Sequence, residues 1–212
     1  MVITVKTIVT GNWKENCYVV HSTEGDTVVV DPGGEAEAIV RYVEKHGLTA
    51  HAILNTHGHY DHVAAVKELQ SRLSIPFYLH SKDLRLLKSA NLYRKLFDIY
   101  EPISVPEVDR FADEMESPLS FGTVSVETIA TPGHTNGSVC FLIEGSLFAG
   151  DTLFQGAVGR TDLPGGDPSA LAASLRILSL LPPETQVYSG HGEPTEIGRE
   201  RASNAALVQA MK

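Results

Sequence analysis

Thr56-His57-Gly58-His59-Tyr60-Asp61-His62 places three imidazoles and one carboxylate within seven residues. The run follows a short apolar stretch, His51–Asn55, that reads as a strand, and Val63, Val66 and Leu69 after it mark a helix by their spacing. Inside a helix, residues two apart face different directions, so His57 and His59 would not converge. A loop entering a helix instead aims all four side chains at one region, and Gly58 permits the tight turn this needs.

Three further motifs have the same setting. His134 lies in Thr131-Pro132-Gly133-His134-Thr135, Asp151 in Gly150-Asp151-Thr152, and His191 in Ser189-Gly190-His191-Gly192-Glu193. Each directly follows a stretch that reads as a strand. Polar groups on loops at several strand ends describe a site along one edge of a sheet. The set HxHxDH…H…D…H has enough nitrogen and carboxylate ligands for two divalent ions. Zinc suits it, and iron or manganese is tolerated. No thiolate belongs to the set, so a closed structural zinc site is not expected, and the ligands per ion are few enough to leave an open position for water. Asp151 by itself has an ordinary alternative, an Asx turn. His21, His46, His51 and His80 stand alone in the sequence and read as core or surface residues.

Around these motifs strand-like and helix-like stretches alternate. Val2–Val9, Cys17–His21 and Thr27–Asp31 are rich in Val and Thr and read as strands. Asp31-Pro32-Gly33-Gly34 is a turn. Residues 35–46 set Ala36, Ile39, Val40 and Val43 at helical spacing, with Gly47 as the C-cap. Phe77–His80 reads as a strand, Ser81 as an N-cap, residues 91–100 as helix and 101–118, with three prolines, as a surface connection. Val124–Ala130, Ser138–Ile143 and Leu147–Ala149 return to strand, with a Glu144-Gly145 turn. Asp167-Pro168 is an N-cap followed by proline at the first helical position, and the helix after it would bury Leu171, Leu175, Leu178 and Leu181. Val187–Ser189 is the last strand and 195–210 the last helix. Nothing divides the chain, and a single domain over 1–212 is expected.

Composition narrows the possibilities. At 212 residues and 42% hydrophobic, the chain has material for a substantial core without disulfide staples. A net charge of −9 argues against a nucleic-acid partner, whose phosphates require Lys and Arg. Mean hydropathy is near zero, and no run approaches a bilayer span, so no membrane partner is expected. Met1–Lys6 shows no charged region followed by an apolar one, which makes the cytoplasm the default expectation. Cys17 and Cys140 lie in strand-like apolar settings and read as buried free thiols, with a disulfide or a reactive thiol as the alternative.

These residues, in this order, resemble the metallo-β-lactamase superfamily, from the Asn16-Cys17-Tyr18 strand through Asp31-Pro32-Gly33 to His191. The resemblance implies an α+β fold, a four-layer αββα sandwich of two mixed sheets flanked by helices. It also implies a ligand set: His57, His59 and His134 for one ion, Asp61, His62 and His191 for a second, and Asp151 bridging. The stretch Gly150–Asp162, with its Gly159-Arg160-Thr161-Asp162, followed by Pro164-Gly165-Gly166-Asp167, is similar to the glyoxalase II-like branch. Members of that branch cleave S-2-hydroxyacylglutathione thioesters with a metal-bound hydroxide. An Arg160–Asp162 pair would order the Asp151 loop, or Arg160 would contact substrate. Full-length members carry a C-terminal helical domain that grips glutathione and a third His where Gly58 stands. With only residues 192–212 after His191, this chain resembles the shorter members, and the identity of the thiol carrier stays open.

The competing reading comes from persulfide dioxygenases, which share the Gly-Arg-Thr-Asp signature. That resemblance implies one iron held by His57, His134 and Asp151. A secreted β-lactamase fits less well because no export signal is read, and a nuclease because no cap insertion is read and the charge is acidic. The expected partner is therefore a small-molecule thioester. The sequence does not give the oligomeric state.

Overall fold

The structure is a computed structural model describing residues 2–97, 99, 101–114 and 117–212. Two mixed sheets make up its middle. The first has β1 (Ile3–Thr10), β2 (Glu15–Ser22), β3 (Asp26–Val30), β4 (Thr49–Leu54), β5 (Phe77–Leu79) and β6 (Arg110–Phe111) side by side in that order. β1, β2 and β3 pair antiparallel, and β3 through β6 pair parallel. The second sheet contains β7 (Leu119–Phe121), β8 (Val124–Ala130), β9 (Val139–Ile143) and β10 (Ser146–Gly150). A separate hairpin, β11 (Leu153–Phe154) and β12 (Ala157–Val158), follows, and then β13 (Gln186–Ser189) and β14 (Thr195–Glu196) return to that sheet. The spatial order is β14-β13-β10-β9-β8-β7.

The helices lie outside. On the first sheet's side are α1 (Ala36–Lys45), α2 (Tyr60–Val63), α3 (Val66–Leu73), α4 (Leu84–Lys88) and α5 (Ala90–Leu96). On the second sheet's side are α6 (Pro168–Leu178), α7 (Ile197–Ser203) and α8 (Ala205–Ala210). This is the αββα sandwich expected from the resemblance.

The side-chain alternation of a strand builds the layers. Along β2, Cys17 and Val19 face outward and join Ile39, Val40 and Val43 of α1 and Val66 and Leu69 of α3. Tyr18 and Val20 face the other way and meet Phe141, Ile143 and Phe148 of the second sheet. A third apolar layer puts Leu147 and Val187 against Leu171, Leu175 and Leu178 of α6 and Leu207 of α8. Each fully buried Val or Leu contributes about 1.5–3 kcal/mol of transfer free energy, so the fold rests on three such layers together.

Local signals act where they are expected. α1 ends in a Schellman motif: Gly47 has φ +60°, its N–H donates to the Glu44 carbonyl, and the Leu48 N–H donates to Val43. Asp167 caps α6 by accepting from the Ser169 and Ala170 N–H groups. Glu144 and Gly145 both take positive φ, forming the tight β9–β10 turn.

Other stretches differ from the sequence reading. Ser81 caps no helix. Residues Ser81–Asp83 form a 3₁₀ turn in which His80 accepts from Lys82 N–H, while the Ser81 hydroxyl donates to Asp113. The helix expected after His62 is two pieces, α2 and α3. The helical reading of 91–100 holds through Leu96, and its positions 98 and 100 lie outside the described residues. The connection 101–118 contains β6, and its positions 115 and 116 also lie outside them, as does Met1 at the start. The last helix is broken at Asn204, whose side chain leaves α7 to cap α8 by accepting from Ala206 and Leu207 N–H. Leu181 is half-buried rather than buried.

Cys17 and Cys140 are free, fully buried and in different apolar layers. Burial pushes both thiols up, Cys140 to about 11, so neither is the thiolate that a reactive site requires. No helix among the described residues is long and apolar enough to cross a membrane.

Candidate metal centre

Five chain segments deliver the candidate ligands to one edge of the sandwich. His57 and His59 lie between β4 and α2, Asp61 and His62 in α2, His134 between β8 and β9, Asp151 after β10 and His191 after β13. All seven side chains come together. The ring centroids of His57, His59 and His134 are 4.7–4.8 Å apart, nearly an equilateral triangle. His59 Nδ1 and His134 Nε2 lie 2.9 Å from each other. Asp61, His62 and His191 make a second group, with His191 Nε2 3.5 Å and His62 Nε2 4.0 Å from Asp61 Oδ2. Asp151 sits between the groups. Its Oδ2 is 3.5 Å from His134 Nε2, and its Oδ1 is 3.5 Å from His62 Nε2 and 3.8 Å from His191 Nε2.

These groups fit divalent ions. His57 Nε2, His62 Nε2 and Asp151 Oδ1 are buried and have no hydrogen-bond partner, although buried polar atoms are otherwise nearly always satisfied. Burial and neighbouring imidazoles depress His57 and His59, His59 to about 3, so both are neutral, the form that binds metal. Burial by itself would raise Asp61, but its hydrogen bond to His191 and the nearby His62 and His59 hold it below the usual carboxylate range. The second group thus brings ionised carboxylate beside imidazole, where a cation is favoured.

Other residues orient this set. Asp31, at φ +48° after β3, accepts from Thr56 N–H and Thr56 Oγ1 and lies 3.1 Å from His62 Nδ1. It also falls within reach of His57 and His62 as a third possible ligand group. Its oxygens are already engaged, which makes it the partner that turns the opposite nitrogen of His62 toward the site. His134 Nδ1 is fixed by the Arg160 carbonyl at 2.8 Å, and His191 Nδ1 by the Trp13 carbonyl at 3.1 Å. The Asn16-Cys17-Tyr18 strand has a role here too. Asn16 Nδ2 donates to the Ser189 and Gly192 carbonyls and Tyr18 OH to Ser189, which clamps the His191 loop to β2.

Asp83 joins two ligand loops from below. It accepts from Gly58 N–H, from the Thr135 hydroxyl and from Gly137 N–H, at 2.7–2.9 Å, while burial pushes its carboxyl up. Only its position in the fold brings it here, and a lone acid after Ser81-Lys82 has no signal of its own. Asp83→Ala leaves the Gly58 and Gly137 N–H groups unpaired and is expected to weaken metal affinity by about 10–100-fold. Competition with a chromophoric chelator measures this, and unchanged affinity would remove Asp83 from the metal-supporting set.

Arg160 is where the sequence and the geometry diverge. Its guanidinium does form a bidentate pair with Asp162, at 2.7 and 2.8 Å. Both side chains are more than half exposed, so the pair orders little. It is the Arg160 backbone carbonyl that reaches the site, through His134.

A cleft of about 460 Å³ opens in front of the ligands, lined by His59, Asp61, His134, Asp151 and His191 together with Trp13, Phe97, Phe154 and Arg160. Its β11–β12 side is anchored from a distance. Buried Glu200 of α7 accepts from Gly156 N–H, the Thr195 hydroxyl and Asn204 Nδ2, and Asn204 Nδ2 also donates to the Ala157 carbonyl.

Comparison with known proteins gives a consistent picture. The family profile described as "Metallo-beta-lactamase superfamily" matches residues 10–191. The "Probable metallo-hydrolase YqgX" of Bacillus subtilis is 36% identical over 200 residues, 93% of this chain and 94% of that protein. The "Hydroxyacylglutathione hydrolase GloC" of Haemophilus influenzae is 32% identical over 204 residues, 92% of this chain and 93% of its own length. Among solved structures, BLEG-1 B3 metallo-beta-lactamase superposes with a TM-score of 0.88 at 40% identity, covering 96% of this chain and 99% of that one. TTHA1623 in a di-iron-bound form superposes with a TM-score of 0.84 at 41% identity, covering 95% and 99%.

Proposed function

The chain belongs to the metallo-beta-lactamase superfamily, and from that membership we propose that this metallo-hydrolase cleaves thioesters, S-2-hydroxyacylglutathione first among them. The observation that carries the reading is the pair of ligand groups on either side of Asp151, open to one cleft. Two divalent ions held there would supply hydroxide at neutral pH and an electrophile for the carbonyl oxygen.

The chain's own groups do the rest. Asp61, ionised and beside His191, accepts a hydrogen bond from the attacking water and orients it toward the carbonyl carbon. His134 and His191 are each anchored through Nδ1 to a backbone carbonyl, so their Nε2 atoms face the site in one tautomer. Asp31 and Thr56 keep His62 from turning. The apolar lining lowers the local dielectric and strengthens the charge interactions beside it. As the tetrahedral adduct collapses, the C–S bond breaks and the sulfur leaves as thiolate, which needs no proton from the protein.

The likeness to GloC supports glutathione as the carrier, and the gathering of Asp61, His62 and His191 into a second ligand group supports a two-ion hydrolase over an iron dioxygenase using His57, His134 and Asp151. The native metal is part of the proposal: zinc is the first choice from the donor set, and the di-iron neighbour keeps iron in play. The test follows S-D-lactoylglutathione absorbance with metal-replete protein. Rapid loss that a chelator abolishes, with two ions per chain, is expected. Intact thioester with metal bound would overturn the reading. Oxygen uptake with glutathione persulfide and a single iron would then replace it with the dioxygenase, and turnover of a chromogenic β-lactam with a B3-type lactamase.

A further inference from the structure

The proposed hydrolysis makes no use of most of the cleft wall. Trp13, Tyr60, Tyr93, Phe97, Phe154 and Leu163 line it beside the candidate ligands. Trp13 meets Phe97 edge-on at 5.5 Å, Phe97 lies 6.2 Å from Tyr60, and Phe154 reaches to 6.3 Å from His191. The wall therefore runs from the solvent-facing Trp13, 47% exposed, up to the metal-binding groups. Such contiguous aromatic surface facing an open cleft is costly unless something apolar covers it.

Charge is scarce along the same wall. Among the described lining residues Arg160 is the one Lys or Arg, and its guanidinium is engaged by Asp162 at two points. Arg94 lies 5.5 Å over the Tyr60 ring with its Nε donating to the Glu101 carbonyl. A peptide-like or phosphorylated thiol carrier laid against this wall would leave ions without partners. The adjoining cavity, about 430 Å³ and sharing Tyr93, carries the cations that the wall lacks. It presents Lys82 and Arg85, neither of which makes an ion pair among the described residues. The polar carrier fits that end, which leaves the aromatic wall for the acyl group.

We propose that the Trp13–Phe97 wall selects thioesters whose acyl group bears a bulky apolar substituent, an aromatic ring first. This deepens the thioester reading above and rests on it. The acyl carbonyl lies where cations held by the Asp61 and Asp151 groups would polarise its oxygen, while its substituent packs on Trp13 and Phe97. A small acyl group such as lactoyl satisfies the first contact and leaves the second empty.

The test compares S-D-mandeloylglutathione with S-D-lactoylglutathione, which share the carrier and the α-hydroxyl and differ by a phenyl in place of a methyl. The holoenzyme is expected to favour mandeloyl in kcat/KM by at least about tenfold, the scale of apolar discrimination in a fitted pocket. Trp13→Ala, at a half-exposed side chain, is expected to lower that ratio by about fivefold or more with metal content unchanged. Phe97→Ala provides the second reading of the same ratio. Equal rates for both substrates overturn the proposal while the thioester reading stands. So does a preference that neither variant alters, since the wall would then not be its seat. Failure to hydrolyse either thioester overturns the thioester reading and this proposal with it.

Discussion

Asp61→Ala lowers kcat for the thioester by about 10²–10³-fold and leaves one ion per chain bound. The expectation follows from the partition of the ligands. His57, His59 and His134 form a group to which Asp61 contributes nothing, whereas Asp61 Oδ2 is the carboxylate of the His62–His191 group. Removing it deletes both a ligand and the acceptor that orients the attacking water. Steady-state kinetics with metal analysis on the same sample checks both halves. Full turnover by the variant would mean that Asp61 neither orients the nucleophile nor holds an ion that matters. Asp61→Asn, which keeps the shape and loses the charge, is expected to fall between the two.

Gly33→Ala is expected to damage both stability and activity. A Cβ at Gly33 would overlap the backbone oxygen and carbonyl carbon of Asp61 and crowd the Glu15 carboxylate. Backbone cannot swing aside as a flexible side chain does, so the start of α2 must move. Overpacking of this kind costs about 1–3 kcal/mol, or about 2–12 °C in Tm for a chain of this size. A shift of about 1 Å at Asp61 would reduce kcat by a further factor of about 10². The adjacent Gly34→Ala is the control, because its Cβ would find its nearest neighbours at 3.4 Å and should be close to neutral. If the two variants melt together and turn over alike, the Gly33–Asp61 contact does not set the geometry of the site.

The legible parts of the sequence were those with a repeating pattern or a dense motif. α1 declares itself because one period runs through enough positions: Ala36, Ile39, Val40 and Val43 are all buried on one face, whereas β2 is legible from its apolar, Val-rich composition. The seven candidate ligands stand out because imidazoles and carboxylates recur at strand ends, and the fold does gather them. β6, β11, β12 and β14 have two residues each, too few for any alternation to be read. The break at Asn204 is hidden for another reason. The apolar spacing continues through Leu207 and Ala210, and only the capping contacts of the Asn204 side chain reveal that the chain turns there. Asp31, Asp83 and Glu200 are illegible as single acids. Asp31 and Asp83 matter through donors distant in sequence, and Glu200 through Gly156 as well as its neighbours Thr195 and Asn204, so no local pattern distinguishes them from surface carboxylates. Asp31 had one usable clue, since it follows a strand and precedes a glycine turn much as Asp151 follows β10.

The β11–β12 hairpin that carries Phe154 and Val158 is held by Glu200 of α7 and by Asn204 between α7 and α8. The loops that bear the ligands are tied down separately, by Asp31, Asp83 and Asn16. The two mountings meet at the hairpin's ends, since it starts just after Asp151 and leads to Arg160, whose carbonyl holds His134. A lineage, or an engineer, that alters the C-terminal helices and the hairpin they grip reshapes what the cleft accepts, and must keep Asp151 and the Arg160 carbonyl in register to preserve the reaction.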